Sequence, residues 1–217
     1  SLCLDSALVN VSYMVNRVNY RREIFVSAPD SAMVIRLSAD KPGMVALDLD
    51  FDCQIDGYKV QPSGDMLSLS GAAPVNSYPV YYNPSDKPLY TMTTQDGKTG
   101  IRFNALAKAV ADGGFVSVDD QGLHVRDANS VTIYITSATS YNGPYTDPDT
   151  NGKNEKTIAF NRLGNCINKD YATLKYRHSS DFSSLFGRVS LSLHNPLDNK
   201  SLNSKMPTDL RLKVYDF

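Results

Sequence analysis

Apolar and polar side chains alternate one by one through much of this chain, and that period of two constrains the fold more than any other feature. Ala7, Val9, Val11, Tyr13 and Val15 alternate with Asn10, Ser12 and Asn16. Successive side chains of a strand leave on opposite faces, so such a run is a strand with one buried side. After an Asn16-Arg17-Val18-Asn19 turn the chain returns as a second strand over 20–27. Met33, Ile35 and Leu37 then alternate with Arg36 and Ser38. Beyond the Lys41-Pro42-Gly43 turn, Val45, Leu47, Leu49 and Phe51 alternate with Asp48, Asp50 and Asp52. Shorter strands are expected at 58–60 and 66–70. Residues 72–99 are richer in Pro, Asn, Ser and Gly and read as a long connection, with a short strand near 80–82. Ile101, Phe103, Ala105 and Ala107 alternate with Arg102, Asn104 and Lys108. Asp112-Gly113-Gly114, Asp119-Asp120-Gln121-Gly122 and Asp127-Ala128-Asn129 then turn the chain into strands beginning at Phe115, Leu123 and Val131. Strands joined by such short turns are antiparallel.

The period lengthens after residue 155. Tyr171, Leu174, His178, Phe182, Leu185 and Val189 are three or four apart and share one helical stripe. Asn168 or Asp170 is placed to cap its start, and Gly187 lies near its end. One more strand is expected through Val189, Leu191 and Leu193, and Thr208-Asp209 reads as the start of another helix. The predicted fold class is mainly β: an antiparallel, supersandwich-like β-sandwich with one helix near the C-terminus. With 217 residues, the chain is long enough for one such domain over 1–217. Its abrupt first strand and unfinished last helix read as truncation at both ends.

The net charge of −1, with Lys and Arg dispersed, gives no basic face for nucleic acid. No apolar run is long enough for a membrane helix, and no signal peptide opens the chain. Cys3, Cys53 and Cys166 are too far apart for a disulfide framework or a zinc site, and read as free, mostly buried thiols.

Motifs that carry chemistry are sparse. There is no G-x-S-x-G, no H-E-x-x-H and no Gly-rich phosphate loop, and nothing singles out a carboxylate pair among 23 acidic residues. Asp48, Asp50 and Asp52 read as the solvated face of a half-buried strand rather than as ligands. Asp147, Asp149 and Asn151-Gly152 match the first half of a calcium loop, but Ile158 stands where the bidentate acid belongs. They are a weak calcium candidate set against an acidic surface loop, and no cofactor is expected. His178 sits in the helical stripe, either as a proton shuttle or ligand, or as a buried histidine bonded to a strand. Tyr141-Asn142-Gly143-Pro144-Tyr145 places two aromatics in a polar loop, suited to stacking on a sugar or packing on a neighbouring domain. Asn10-Val11-Ser12 and Asn199-Lys200-Ser201 are glycosylation sequons.

Four segments, in order, carry a resemblance. The first is Leu4-Asp5-Ser6-Ala7 leading to Tyr20-Arg21-Arg22-Glu23-Ile24-Phe25-Val26-Ser27-Ala28-Pro29-Asp30. The second is Thr136-Ser137-Ala138-Thr139-Ser140-Tyr141-Asn142 with Asp147-Pro148. The third runs from His178-Ser179-Ser180-Asp181 to Gly187-Arg188-Val189, and the last is Pro207-Thr208-Asp209-Leu210-Arg211-Leu212. Together the chain resembles the N-terminal domain of glycoside hydrolase family 95, the α-L-fucosidases. The resemblance implies a parent with an N-terminal β-sandwich, a helical linker, an (α/α)₆ barrel and a C-terminal β-domain. Such a parent, of bacterial, periplasmic or extracellular type, would hydrolyse terminal α-L-fucosyl linkages with inversion, some relatives preferring sugars such as galactose. The catalytic groups of that family lie in the barrel, so no catalytic residue is assigned here. This chain is expected to be a non-catalytic domain that packs on the barrel and shapes the active-site rim. Its partners are then the barrel and the fucosylated glycan. The candidates for domain interface or sugar contact are Thr139, Ser140, Tyr141, Asn142, Tyr145, His178, Asp181 and Arg188. The rival expectation is an autonomous carbohydrate-binding module.

Overall fold

The computed structural model describes residues 1–79, 81–82 and 90–190. The expected strands at 80–82 and 189–193, the helix start at Thr208 and the second sequon fall wholly or partly outside them. Among the described residues thirteen strands precede two helices. They are β1 (Leu2–Cys3), β2 (Leu8–Val15), β3 (Val18–Ser27), β4 (Ala32–Ala39), β5 (Val45–Leu49), β6 (Lys59–Ser63) and β7 (Met66–Ala72). Then come β8 (Asn76–Ser77), β9 (Tyr90–Thr91), β10 (Arg102–Asp112), β11 (Phe115–Asp119), β12 (Gly122–Ala128) and β13 (Ser130–Thr139). The helices are α1 (Glu155–Ile167) and α2 (Tyr171–Phe186).

Eight strands form one sheet in the order β1-β2-β3-β4-β13-β10-β7-β6, and β11-β12-β5 form a second. β8 and β9 pair by themselves. All pairings are antiparallel, as the turns imply. The β2–β3 hairpin closes on Asn16 and Arg17, both with positive φ (50° and 62°), the two-residue turn whose twist matches that of its strands. Gly113 and Gly114, at φ 72° and 65°, make a similar turn where the chain leaves the large sheet for the small one. A single residue, Asn129, returns it from β12 to β13.

The two faces of the large sheet are covered differently. The small sheet closes one face over a core of Val45, Leu67, Ala107, Leu123, Val125, Val131 and Ile133. The helices close the other over Phe25, Val34, Leu106 and Tyr134, adding Ala159, Leu163, Cys166 and Leu174. Central strands are therefore buried on both sides. In β13, Val131 and Ile133 face one core and Tyr134 the other, and in β10 both Leu106 and Ala107 are buried. The alternation read from Ile101 to Lys108 thus describes a strand covered on both faces at its centre.

The predicted helix is α2. Asp170 caps it by accepting from the Thr173 amide, and Gly187 ends it. Leu174 and His178 are buried, whereas Leu185 and Val189 are exposed, so only the first half of the stripe faces the sheet. α1 precedes it as a further helix, capped by Asn154. The thiols are free, but they are not mostly buried. Only Cys166 is inside, where burial pushes its pKa up to about 11; Cys3 sits exposed on the short edge strand β1.

Candidate functional site

β4 runs antiparallel to both β3 and β13, so the C-terminal ends of β3 and β13 emerge at the same end of the large sheet. The N-terminal end of β10 meets them there, Phe103 lying opposite Thr139. The 140–154 loop rises from this end, and the candidate residues lie at the end of β13 (Thr139), on this loop, on α2 and just beyond it (Arg188).

The loop stands on Arg102. The guanidinium Nη1 donates to the carbonyls of Pro148 (3.2 Å) and Asp149 (2.7 Å) and to Asp149 Oδ1 (3.0 Å), while Nε lies 3.4 Å from Glu155 Oε1. Asp149 Oδ2 accepts from the Thr99 amide at 3.1 Å. Lys98 Nζ donates to Asp147 Oδ2 at 2.9 Å, and Asp147 Oδ1 accepts from the amides of Asp149 and Thr150. The Lys98 hydrogen bond, helped by those two amides, lowers the Asp147 pKa to about 2. Gly152 is wedged so closely that a Cβ would lie 2.2 Å from the Pro148 carbonyl oxygen and 2.7 Å from that of Ser140.

The calcium candidates lie in this loop. The carboxylates of Asp147 and Asp149 point at Lys98 and Arg102, and the Asn151 carbonyl accepts from Asn142 Nδ2 at 3.3 Å. Among the described residues, no three His, Cys, Asp or Glu side chains gather as a metal site. The half-motif is a turn locked by cations.

This base separates the candidates. Ser140 is fully buried: its Oγ accepts from the Arg102 amide at 3.0 Å and its carbonyl from the Lys153 amide at 2.9 Å. It is a structural anchor rather than a contact residue. Thr139 and Asn142 are exposed, Tyr141 is 49% exposed and Tyr145 is 100% exposed. Two tyrosines therefore face solvent from a loop whose backbone is fixed, a pre-organised contact surface.

α2 is fastened by its first half. Lys175 Nζ reaches Glu23 Oε1 at 2.6 Å, and Arg177 Nε reaches Asp30 at 3.1 Å. His178 is 4% exposed and lies against Phe25, ring centroids 5.0 Å apart. Its Nε2 is 3.1 Å from the Ser6 carbonyl oxygen and 3.2 Å from that of Ala7; two acceptors require that this nitrogen carry the proton. His178 therefore ties the first residues of the chain to the helix and is not presented to a partner. Asp181 and Arg188 are exposed, the latter donating from Nε to the Ser184 carbonyl at 2.9 Å. Near them Leu185 and Val189 are 57% and 80% exposed, so the end of α2 offers apolar surface. Sequence reading missed Arg102 because its partners lie 46 to 53 positions away. Locally Arg102 is one of three polar residues, with Asn104 and Lys108, that alternate along β10.

Residues 1–144 match the model of the glycosyl hydrolase family 65 N-terminal domain. This chain belongs to that family. The match ends within the tyrosine loop, before both helices. Over 217 residues the chain is also 27% identical to α-L-fucosidase 2 of Arabidopsis thaliana, covering 99% of this chain and 26% of that protein. The chain thus spans about a quarter of the length of that curated relative. A solved structure described as a putative kojibiose phosphorylase from human microbiome is similar over 85% of this chain and 24% of that one, at 15% identity and a TM-score of 0.49. The chain is thus an N-terminal domain of the glycoside hydrolase type, related to a fucosidase. The match bears out the glycoside hydrolase N-terminal domain of the resemblance, through the family 65 model. Among the described residues no helix is long and apolar enough to cross a membrane.

Proposed function

We propose that this chain, 1–217, is the non-catalytic N-terminal domain of a family 95-type α-L-fucosidase, which packs against a helical barrel of the same protein and shapes the rim of its active site. The parent would hydrolyse terminal α-L-fucosyl linkages with inversion, in a periplasmic or extracellular setting. The relation to α-L-fucosidase 2 along almost the whole chain supports the substrate class. The observation that carries the docking role is the tyrosine loop. Tyr141 and Tyr145 are held out in solvent beside the clasp of Arg102 and Lys98, with nothing among the described residues to cover them. Exposed, pre-positioned Tyr is the side chain that interfaces use most as an anchor. The apolar end of α2, with Asp181 and Arg188 beside it, extends the proposed surface.

The test uses the full-length protein carrying Tyr141→Ala and Tyr145→Ala together. Both rings are solvated here, so the isolated domain should keep its Tm. The full-length enzyme should lose thermal stability and show a reduced kcat/KM on an aryl α-L-fucoside. Unchanged values of both in the full-length protein would remove the loop from the interface.

A further inference from the structure

The large sheet is wider than the helices laid on it. α1 covers β4, β13 and β10. Beyond it, over β10, β7 and β6, the same face opens into a groove of about 430 Å³, within the usual size range of small-molecule sites. β7 explains its character. Leu67 turns into the core under the small sheet, and the strand's period of two puts Ser68 and Ser70 on the groove side. Gln61 of β6 and Asn104 of β10 add amide groups to a floor that Met66 and Leu106 make partly apolar, and Phe160 of α1 stands at the wall.

Asn104 is the informative residue. It is only 3% exposed, yet it lines the groove. Its Nδ2 donates to Ser68 Oγ at 3.1 Å and to the Leu69 carbonyl at 3.0 Å. A carbonyl partner fixes which end of the amide is nitrogen. Among the described residues no donor reaches Asn104 Oδ1, and it is not one of the buried polar atoms sealed from solvent without a partner. An acceptor of fixed direction is therefore aimed into a polar cavity, on a side chain that is otherwise inside the protein. Leaving such an atom without a donor costs stability, so a site holds one where a ligand or water supplies the bond. Opposite it Phe160 is 55% exposed, an apolar ring left partly open by the described residues. Among the described residues no carboxylate lines the groove, and Lys156 is its one ionic group.

We propose that this groove binds one neutral saccharide unit. Its C–H face would lie on Phe160, one hydroxyl would donate to Asn104 Oδ1, and others would exchange hydrogen bonds with Ser70 and Gln61. Uncharged groups that both donate and accept, a fixed acceptor and one apolar face match the two-sided chemistry of a pyranose ring. This site goes beyond the docking role and does not rest on it, since every group belongs to this chain.

The test is an amide-resolved NMR titration of the 217-residue chain. The probes are methyl α-L-fucopyranoside, methyl β-D-galactopyranoside and methyl α-D-glucopyranoside at millimolar concentration, with glycerol as the control polyol. The expected result is a saturable shift for at least one glycoside, centred on Ser68, Ser70, Thr157 and the Asn104 side-chain amide, and none for glycerol. Phe160→Ala should weaken that binding by about tenfold or more. The ring is exposed, so the variant should keep the dispersed spectrum of the folded chain, and Ser70→Leu, which fills the groove, should abolish the shifts. No saturable shift with any glycoside would overturn the proposal. A shift shared equally by glycerol, or one unaltered in folded Phe160→Ala, would do the same.

Discussion

Two ionisable residues should make stability depend on pH in opposite directions. Asp30 is buried, and burial alone would raise its pKa. Hydrogen bonds from Ser27, Arg177 and Lys169 outweigh that and hold the carboxyl below its usual range. A depressed folded pKa means that the contribution is complete above the unfolded value and is lost as pH falls through the folded one. Asp30→Asn should therefore cost about 2 kcal/mol in urea unfolding at neutral pH, with the penalty shrinking in acid. His124 behaves oppositely. On the solvent face of the small sheet, its Nδ1 lies 2.6 Å from Asp48 and its Nε2 3.0 Å from Asp119. The hydrogen bond to Asp48, then that to Asp119, raises its pKa above the usual histidine value. A raised folded pKa gives stability that is complete below the unfolded value and lost as pH climbs through the folded one. The Tm gap between wild type and His124→Gln should be present at about pH 6 and close by about pH 8.5. A constant gap would show that the ring acts by packing alone. The same contacts explain Asp48, which belongs to the solvated face read from the alternation and pairs there with His124 and Arg126.

At the scale of elements, two glycines hold turns that no other residue can make. Gly114, at φ 65°, would carry a Cβ 2.1 Å from the Arg126 carbonyl oxygen, at the corner where the chain changes sheets. Gly114→Ala combines a left-handed conformation with a backbone clash and should cost about 3 kcal/mol or more in denaturant unfolding. Gly152→Ala, facing two carbonyl oxygens, should lift the tyrosine loop from Arg102 and speed hydrogen exchange at the Ser140 and Lys153 amides while the sheet stays protected. The strands were legible because period two and Asp-Gly turns are local signals. α1 was not, because its buried positions are mainly Ala159, Leu163 and Cys166, two of them small, and its other faces carry Asn, Lys and Arg. Nor was the pairing of Lys98 and Arg102 with the acidic loop, since charge complementarity across some 50 positions leaves no periodic trace. The tyrosines of the loop were legible as an aromatic pair among turn residues. The separation of exposed Tyr141 from buried Ser140 required the fold.

The whole molecule is held together across a boundary that family similarity does not mark. The family match stops at residue 144, yet one of the two cores is closed only by residues after it. Phe25, Val34, Leu106 and Tyr134 are buried because Ala159, Leu163, Cys166 and Leu174 lie on them. Thr136 Oγ1 donates to the Ala159 carbonyl at 2.9 Å in the same layer. The helices in turn depend on the sheet: α2 is tied through Glu23, Asp30 and the Ser6–Ala7 carbonyls, and α1 is too short to persist alone in water. Sheet and helices should therefore unfold as one unit. A chain ending at residue 150 would expose a face of the large sheet rich in β-branched and aromatic residues, the kind of apolar patch that drives association. Such a truncation should bind a hydrophobic dye and elute as aggregates in size exclusion, whereas the 217-residue chain should stay monodisperse. If the shorter chain instead unfolds cooperatively with the Tm of the longer one, the helices are an appendage, and the stability of the domain resides in the two sheets alone.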